Sequence, residues 1–179
     1  SVKALELWGG PECTVNRGGA DYRDQLSETG HLDRLGDLDL ITTLGVTALR
    51  FPILWERFAA DEGSLHWRWA GSRLEALRQS GIRPIAGLVH HGSGPRHTNL
   101  LAADFAEGLG RYALEVARRY PWITDWTPVN EPVTTARFSA LYGHWYPHRR
   151  DERSFWLALI NQIDAIRFAM KAIRSVQPA

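Results

Sequence analysis

The sequence offers little that would tie it to an oxidising compartment, a membrane or a polyanion. Cys13 is its single cysteine, so no disulfide can form within the chain. No apolar run is long enough to span a bilayer, and the N-terminus lacks the basic, apolar and small-residue succession of a signal peptide. Neither sign of charge is in excess. The 21 basic and 20 acidic residues leave a formal net charge of +1, which removes the electrostatic case for nucleic acid or an anionic membrane as partner. No Gly-x-Gly-x-x-Gly follows the first strand, which counts against a doubly wound sheet, the competing fold, and no cofactor is expected. The histidines His90, His91, His97, His144 and His148 match no standard zinc spacing, so no metal is expected either. A cytoplasmic location is the default expectation.

What is present is the material of one globular domain over residues 1–179: 44% hydrophobic and 23% charged residues, with eight tryptophans. Core packing accounts for most of the tryptophans, and a ligand platform for two or three. Apolar stretches and helical spacings alternate. Leu5, Leu7 and Trp8 form a short strand ending at Gly9-Gly10, and a loop through Glu12 and Asn16 follows. A helix over 32–44 carries Leu35, Leu38, Ile41 and Leu44 on one face, with Gly45 as its stop. A second strand, 46–51, leads to Arg50 and Trp55. A second helix shows Trp67, Ala70, Leu74 and Leu77 and ends at Gly81. The third strand, 82–89, empties into His90-His91-Gly92-Ser93-Gly94-Pro95, a loop signal. The third helix begins near Asp104 as N-cap and carries Phe105, Leu109, Tyr112 and Val116.

The fourth strand lies within Trp122 to Pro132 and delivers Asn130-Glu131, where Pro132 is expected to stop any regular continuation. A long aromatic loop, 133–153, precedes a last helix capped by Ser154, with Leu159, Ile163, Ile166, Met170 and Ile173 on one face. Four βα units predict a parallel sheet. The chemistry-bearing residues stand at every strand end, as on the carboxyl face of a (β/α)8 TIM barrel. A carboxylate presented there beside an amide is a common way to build a catalytic acid, which singles out Glu131 and Asn130. The plainer readings are an ion pair of Glu131 with Arg50, an Asx turn at Asn130, a buried pair of Arg50 with Glu6 or Glu131, and a core histidine at His90. Glu12, Asn16, His91, Trp145 and Tyr146 are candidates for the walls of the site, each also readable as loop structure.

Four segments in order carry a resemblance: Leu7-Trp8-Gly9; Leu49-Arg50-Phe51-Pro52-Ile53-Leu54-Trp55-Glu56-Arg57; Leu88-Val89-His90-His91; and Trp126-Thr127-Pro128-Val129-Asn130-Glu131-Pro132. The last resembles Trp-Ile-Thr-Phe-Asn-Glu-Pro, the acid/base motif of glycoside hydrolase family 1, the β-glucosidase family of (β/α)8 barrels. The resemblance runs through the first four βα units, a half barrel, and implies a retaining O-glycosidase acting on a carbohydrate or glycoside substrate. It implies Glu131 as general acid/base and Asn130 as holder of the sugar 2-hydroxyl. Arg50 would orient the nucleophile and His90 would donate to a ring hydroxyl. Asn16 falls where the family has a sugar-binding Gln, and His91 where it has an aromatic wall. Glu56 stands where the family has a serine and is not assigned.

The family nucleophile, a glutamate on the seventh strand, would lie beyond Ala179. The expectation is therefore a fragment, inactive alone, that pairs with a missing C-terminal half barrel or with itself through open sheet edges. The wording Trp8-Gly9-Gly10-Pro11-Glu12-Cys13 is similar to a branch fused to a dTDP-4-dehydrorhamnose reductase-like domain. The alternative function is accordingly a non-catalytic carbohydrate-binding or regulatory module attached to a sugar-nucleotide reductase.

Overall fold

The computed structural model describes residues 5–19, 21–60 and 64–177. Its centre is a parallel sheet of β1 (Trp8–Gly9), β4 (Ala48–Pro52), β5 (Arg83–His90) and β6 (Asp125–Asn130), hydrogen-bonded in that order. An antiparallel hairpin of β2 (Val15–Gly18) and β3 (Asp21–Asp24) stands apart from it. The strands of the parallel sheet neighbour one another in chain order, with no reversal. That is the order of a barrel wall; a doubly wound sheet reverses at a switch point. β4 and β5 are buried along nearly their whole length. This is why they read as continuous apolar runs rather than alternating ones. The register sets His90 beside Asn130, so these two polar strand ends arrive at one rim, while Arg50 lies in mid-β4 beside Ile85.

The helices α4 (Ser64–Gln79), α5 (Phe105–Arg119) and α7 (Glu152–Val176) cover this sheet. Ala70, Leu74 and Leu77 of α4 and Phe105, Leu109, Tyr112 and Val116 of α5 are buried as their spacing predicts. Gly45 and Gly81, with φ of 74° and 71°, take the left-handed backbone that terminates a helix. α7 packs along α5 with a stripe of small residues, Ala158, Ala165 and Ala169, together with Gln162 and Ile173. This differs from the larger apolar stripe expected from the sequence, and Ile163 is 46% exposed. Close approach explains the choice: a Cβ on Gly110 of α5 would lie 3.1 Å from the Cβ of Phe168. Five of the eight tryptophans, Trp55, Trp67, Trp69, Trp122 and Trp126, pack in or against the main core. No helix among the described residues is long and apolar enough to cross a membrane.

Five local expectations are corrected. The segment after Glu12 is not a plain loop but enters the β2–β3 hairpin. The helix expected over 32–44 is replaced by a single turn, α1 (Gln25–Glu28), and a short α2 (Asp37–Thr43). The Leu32 carbonyl, which that longer helix needs, instead accepts from Trp69 Nε1 at 2.7 Å and Arg73 Nη2 at 2.6 Å. Pro132 does not stop the chain; it opens α6 (Pro132–Ala136), which runs on into a π-helical turn, Arg137–Leu141. Proline suits a first helical position because the N–H it lacks would have had no partner there. Asp104 occupies the N-cap of α5, but its carboxylate accepts from Thr98 Oγ1 at 2.7 Å rather than from the helix. The cap of α7 is Asp151, whose Oδ1 accepts from the Ser154 amide at 2.8 Å, and not Ser154 itself.

Candidate active site

The middle of β4 and the ends of β5 and β6 bring four of the singled-out side chains into one hydrogen-bonded group. Arg50 Nη1 donates to Asn130 Oδ1 at 2.8 Å. The amide is thereby oriented, and its Nδ2 faces His90 Nε2 at 3.3 Å and His91 Nε2 at 3.2 Å. Neither plainer partner expected for Arg50 is its hydrogen-bond partner here. Glu6 is taken by Arg83 at 3.0 Å, and Glu131 lies 3.8 Å from His91 Nε2. Glu12 Oε2 comes within 3.4 Å of His90 Nε2. The two imidazoles meet edge to face, their centres 4.9 Å apart, and Trp145 lies 5.3 Å from the His91 ring. Trp145 is itself stacked on Phe138.

The group has a buried floor and an open rim. Asn130 and His90 are buried, whereas the side chains of Glu12 and Glu131 are 66% and 60% exposed. Cys13, Arg50, His90 and Asn130 line a residual cavity of only about 10 Å³ beneath them. Burial pushes the Cys13 thiol up to about 12, against the pull of Arg50, so it is not a thiolate nucleophile at neutral pH. Burial, reinforced by His91, takes His90 down to about 4. His91 is lowered by burial too, opposed by Glu131 and Glu12. Both imidazoles are therefore neutral at pH 7, and the His90–Glu12 contact is one between a neutral ring and a carboxylate, not an ion pair.

Asn16 lies elsewhere in the frame. It is buried in β2, opposite Arg23 in the hairpin register, and among the described residues no hydrogen bond joins it to the group above. Sequence reasoning passed over three supports of the site. Thr135, on α6, holds His91 Nδ1 at 2.9 Å through its hydroxyl. Gln162 of α7 donates to the Pro132 carbonyl at 3.0 Å and fixes the start of α6 just after Glu131. Arg17 lays its guanidinium 3.6 Å from the centre of the Tyr146 ring and donates to the Thr98 carbonyl at 3.0 Å, tying the hairpin to the loops around the rim. A proline at the first helical position would have signalled α6 and put Thr135 one turn beyond Glu131; nothing in the sequence signals Arg17 or Gln162. Among the described residues, no group of three or more His, Cys, Asp or Glu side chains is arranged to hold a metal ion.

A solved structure, the family 1 β-glucosidase from Thermotoga maritima, superposes with a TM-score of 0.75 at 23% identity, over 83% of this chain and 36% of that one. The chain has the fold of part of a family 1 β-glucosidase barrel. The same kind of match is found for the β-glucosidase from Thermotoga maritima in complex with deoxynojirimycin, at a TM-score of 0.74 and 24% identity, over 82% of this chain and 35% of that one. In sequence the chain is 26% identical to β-glucosidase A of Thermotoga maritima over 147 residues, 77% of this chain and 33% of the relative. An Oryza sativa relative described as "Probable inactive beta-glucosidase 14" is 25% identical over 126 residues, 65% of this chain and 24% of its own length. The chain thus spans between 24% and 40% of the curated relatives it matches. No protein-family profile matches it.

Proposed function

We propose that this chain forms the acid/base side of a retaining O-glycoside hydrolase of the β-glucosidase type. Glu131 is the general acid and, after the glycosyl-enzyme forms, the general base. The single observation that supports this reading most is the Asn130 amide held by Arg50 at 2.8 Å immediately before a half-exposed Glu131 at the carboxyl end of β6. Glu131, open to the rim, would protonate the departing glycosidic oxygen and later deprotonate water. Asn130 would turn one of its amide hydrogens from a histidine to the sugar 2-hydroxyl, a bond that strengthens as positive charge develops on the ring. The neutral imidazole of His90 would reach a ring hydroxyl, and His91 and Trp145 would wall the site beside it.

Double displacement needs a second carboxyl group roughly 5 Å from the first. The resemblance puts that group on a later strand of the barrel, so in this reading the chain does not hydrolyse glycosides by itself. The test uses the protein that contains the whole barrel and an activated aryl β-glycoside. Glu131→Gln is expected to lower turnover by about 10²–10⁴-fold, chiefly at deglycosylation, seen as an initial burst of aryl alcohol. Unchanged turnover refutes the assignment.

A second reading, a non-catalytic carbohydrate-binding module attached to a sugar-nucleotide reductase, draws support from the relative described as inactive. It predicts that the unaltered protein binds an iminosugar such as deoxynojirimycin while leaving the aryl glycoside intact.

A further inference from the structure

His91 stands where four hydrogen-bonding directions cross, and the donors among them leave it one arrangement. Arg50 has only N–H groups to offer, so the Asn130 atom that meets it at 2.8 Å is the carbonyl oxygen. The other end of the amide is then NH2, and it faces two imidazole nitrogens, His90 Nε2 and His91 Nε2. Each of those nitrogens must be bare to accept. A proton on His91 Nε2 would set N–H against N–H at 3.2 Å. The His91 ring proton therefore sits on Nδ1, where Thr135 Oγ1 accepts it at 2.9 Å. A directed chain of hydrogen bonds results: Arg50 to Asn130, Asn130 to His91, His91 to Thr135.

His90 cannot fix the amide in the same way. Its Nε2 is contested by the Glu12 carboxylate at 3.4 Å, which needs a proton there, and by the Asn130 amide at 3.3 Å, which needs a lone pair. His91 has no such rival within hydrogen-bond distance, since Glu131 stands off at 3.8 Å. The backbone under the ring is also constrained. His91 has φ of 59°, and a Cβ on the following Gly92 would lie 2.6 Å from the Val15 carbonyl oxygen.

We propose that His91 is a positioning residue: carrying its proton on Nδ1 it anchors the Asn130 amide beside Glu131, and when Nε2 is also protonated it lets the amide go and turns to the Glu131 carboxylate. The charged and titratable groups that face it are Glu131 after β6, Glu12 before β2, Arg50 of β4 and its neighbour His90. The two carboxylates favour the protonated ring; burial and Arg50 oppose it. The consequence for Glu131 rests on the acid/base reading above, whereas the tautomer rests on the hydrogen-bond geometry alone.

The test is a long-range ¹H–¹⁵N correlation spectrum of the uniformly labelled chain at pH 7, with the His91 signals assigned by their loss in His91→Phe. The expected pattern is that of an Nδ1-protonated ring. Asn130→Asp replaces the donor facing Nε2 by an acceptor, and is expected to move the His91 proton to Nε2. Titration of the unaltered chain from pH 7 to pH 4 is expected to shift the Asn130 side-chain NH2 signals along the His91 curve. An Nε2-protonated His91 in the unaltered chain overturns the proposal, as do Asn130 signals that ignore the His91 titration. Should the Asn130→Asp variant fail to fold, the unaltered chain still decides the matter. None of these readouts needs turnover, so a failed Glu131→Gln experiment and a failed tautomer experiment are separate results.

Discussion

At the scale of single residues, two of the site's side chains sit on backbone that L-amino acids avoid. Glu131 has φ of 45° and ψ of 64°, and His91 has φ of 59°. Both follow directly on a strand, β6 and β5. The left-handed conformation costs an L-residue about 1–2 kcal/mol, and such strain gathers where the surrounding structure over-determines a functional group. At Glu131 the surroundings that do so are visible: Asn130 is pinned on one side, and the Pro132 carbonyl is held by Gln162 on the other. Glycine would occupy this backbone without strain. Glu131→Gly should therefore be more stable to urea than Glu131→Ala by about 1 kcal/mol, though both lack the carboxylate. Equal midpoints for the two variants would show that no strain is stored at this position.

At the scale of elements, the loop after β5 is fitted between β2 and α3 (Trp55–Ala60), and Gly92 is the contact point. A Cβ there would lie 1.8 Å from Glu56 Oε1 and 2.6 Å from the Val15 carbonyl oxygen. Gly92→Ala should cost about 1–3 kcal/mol in urea unfolding, because backbone must move to admit it. Gly36→Ala, where nothing lies within 4 Å, should be neutral or slightly stabilising. An equal cost for the two would mean the loop is not wedged. How far such elements were legible in the sequence follows from what holds each one. The parallel strands and α4 and α5 declare themselves because their own periodicity is what buries them, as with Leu74, Leu77, Leu109 and Val116. His90 and Asn130 were legible because each ends a strand, and Arg50, which stands in mid-β4, through the resemblance of its segment. The hairpin was not legible: Val15, Asn16 and Arg17 carry no alternation, and Arg17 is held by Tyr146 and the Thr98 carbonyl, both far along the chain. The helix expected over 32–44 failed for a related reason, since Trp69 and Arg73 take the Leu32 carbonyl from a distance.

At the scale of the whole molecule, three buried groups give folding a pH dependence with opposing limbs. Glu56 is buried; its Oε1 accepts from the Gly94 amide at 3.1 Å, while Oε2 has no hydrogen-bond partner among the described residues. Burial pushes its carboxyl from 4.5 up to about 7. Between those values the folded state keeps a proton that the unfolded chain has lost. Stability therefore falls as pH rises from about 4.5 to about 7, by on the order of 3 kcal/mol. His66 works the other way. It hydrogen-bonds the Tyr112 hydroxyl at 3.0 Å, and that hydroxyl donates to the Ile53 carbonyl; its Nδ1 is buried with no hydrogen-bond partner among the described residues. Burial takes it from 6.5 down to about 4, so the unfolded chain binds the extra proton and stability falls as pH drops through that interval. His90, also taken down to about 4, adds to the same acid limb. Two histidines outweigh one carboxyl below about pH 6.5, and above it only Glu56 still titrates, so these groups together place their optimum near pH 6.5. Glu56→Gln keeps an acceptor for the Gly94 amide and removes the charge. Relative to the unaltered chain, it should gain on the order of 3 kcal/mol more at pH 8 than at pH 5 in urea unfolding. A variant whose advantage is the same at both pH values would show that Glu56 ionises in the folded protein as freely as it does in the unfolded chain.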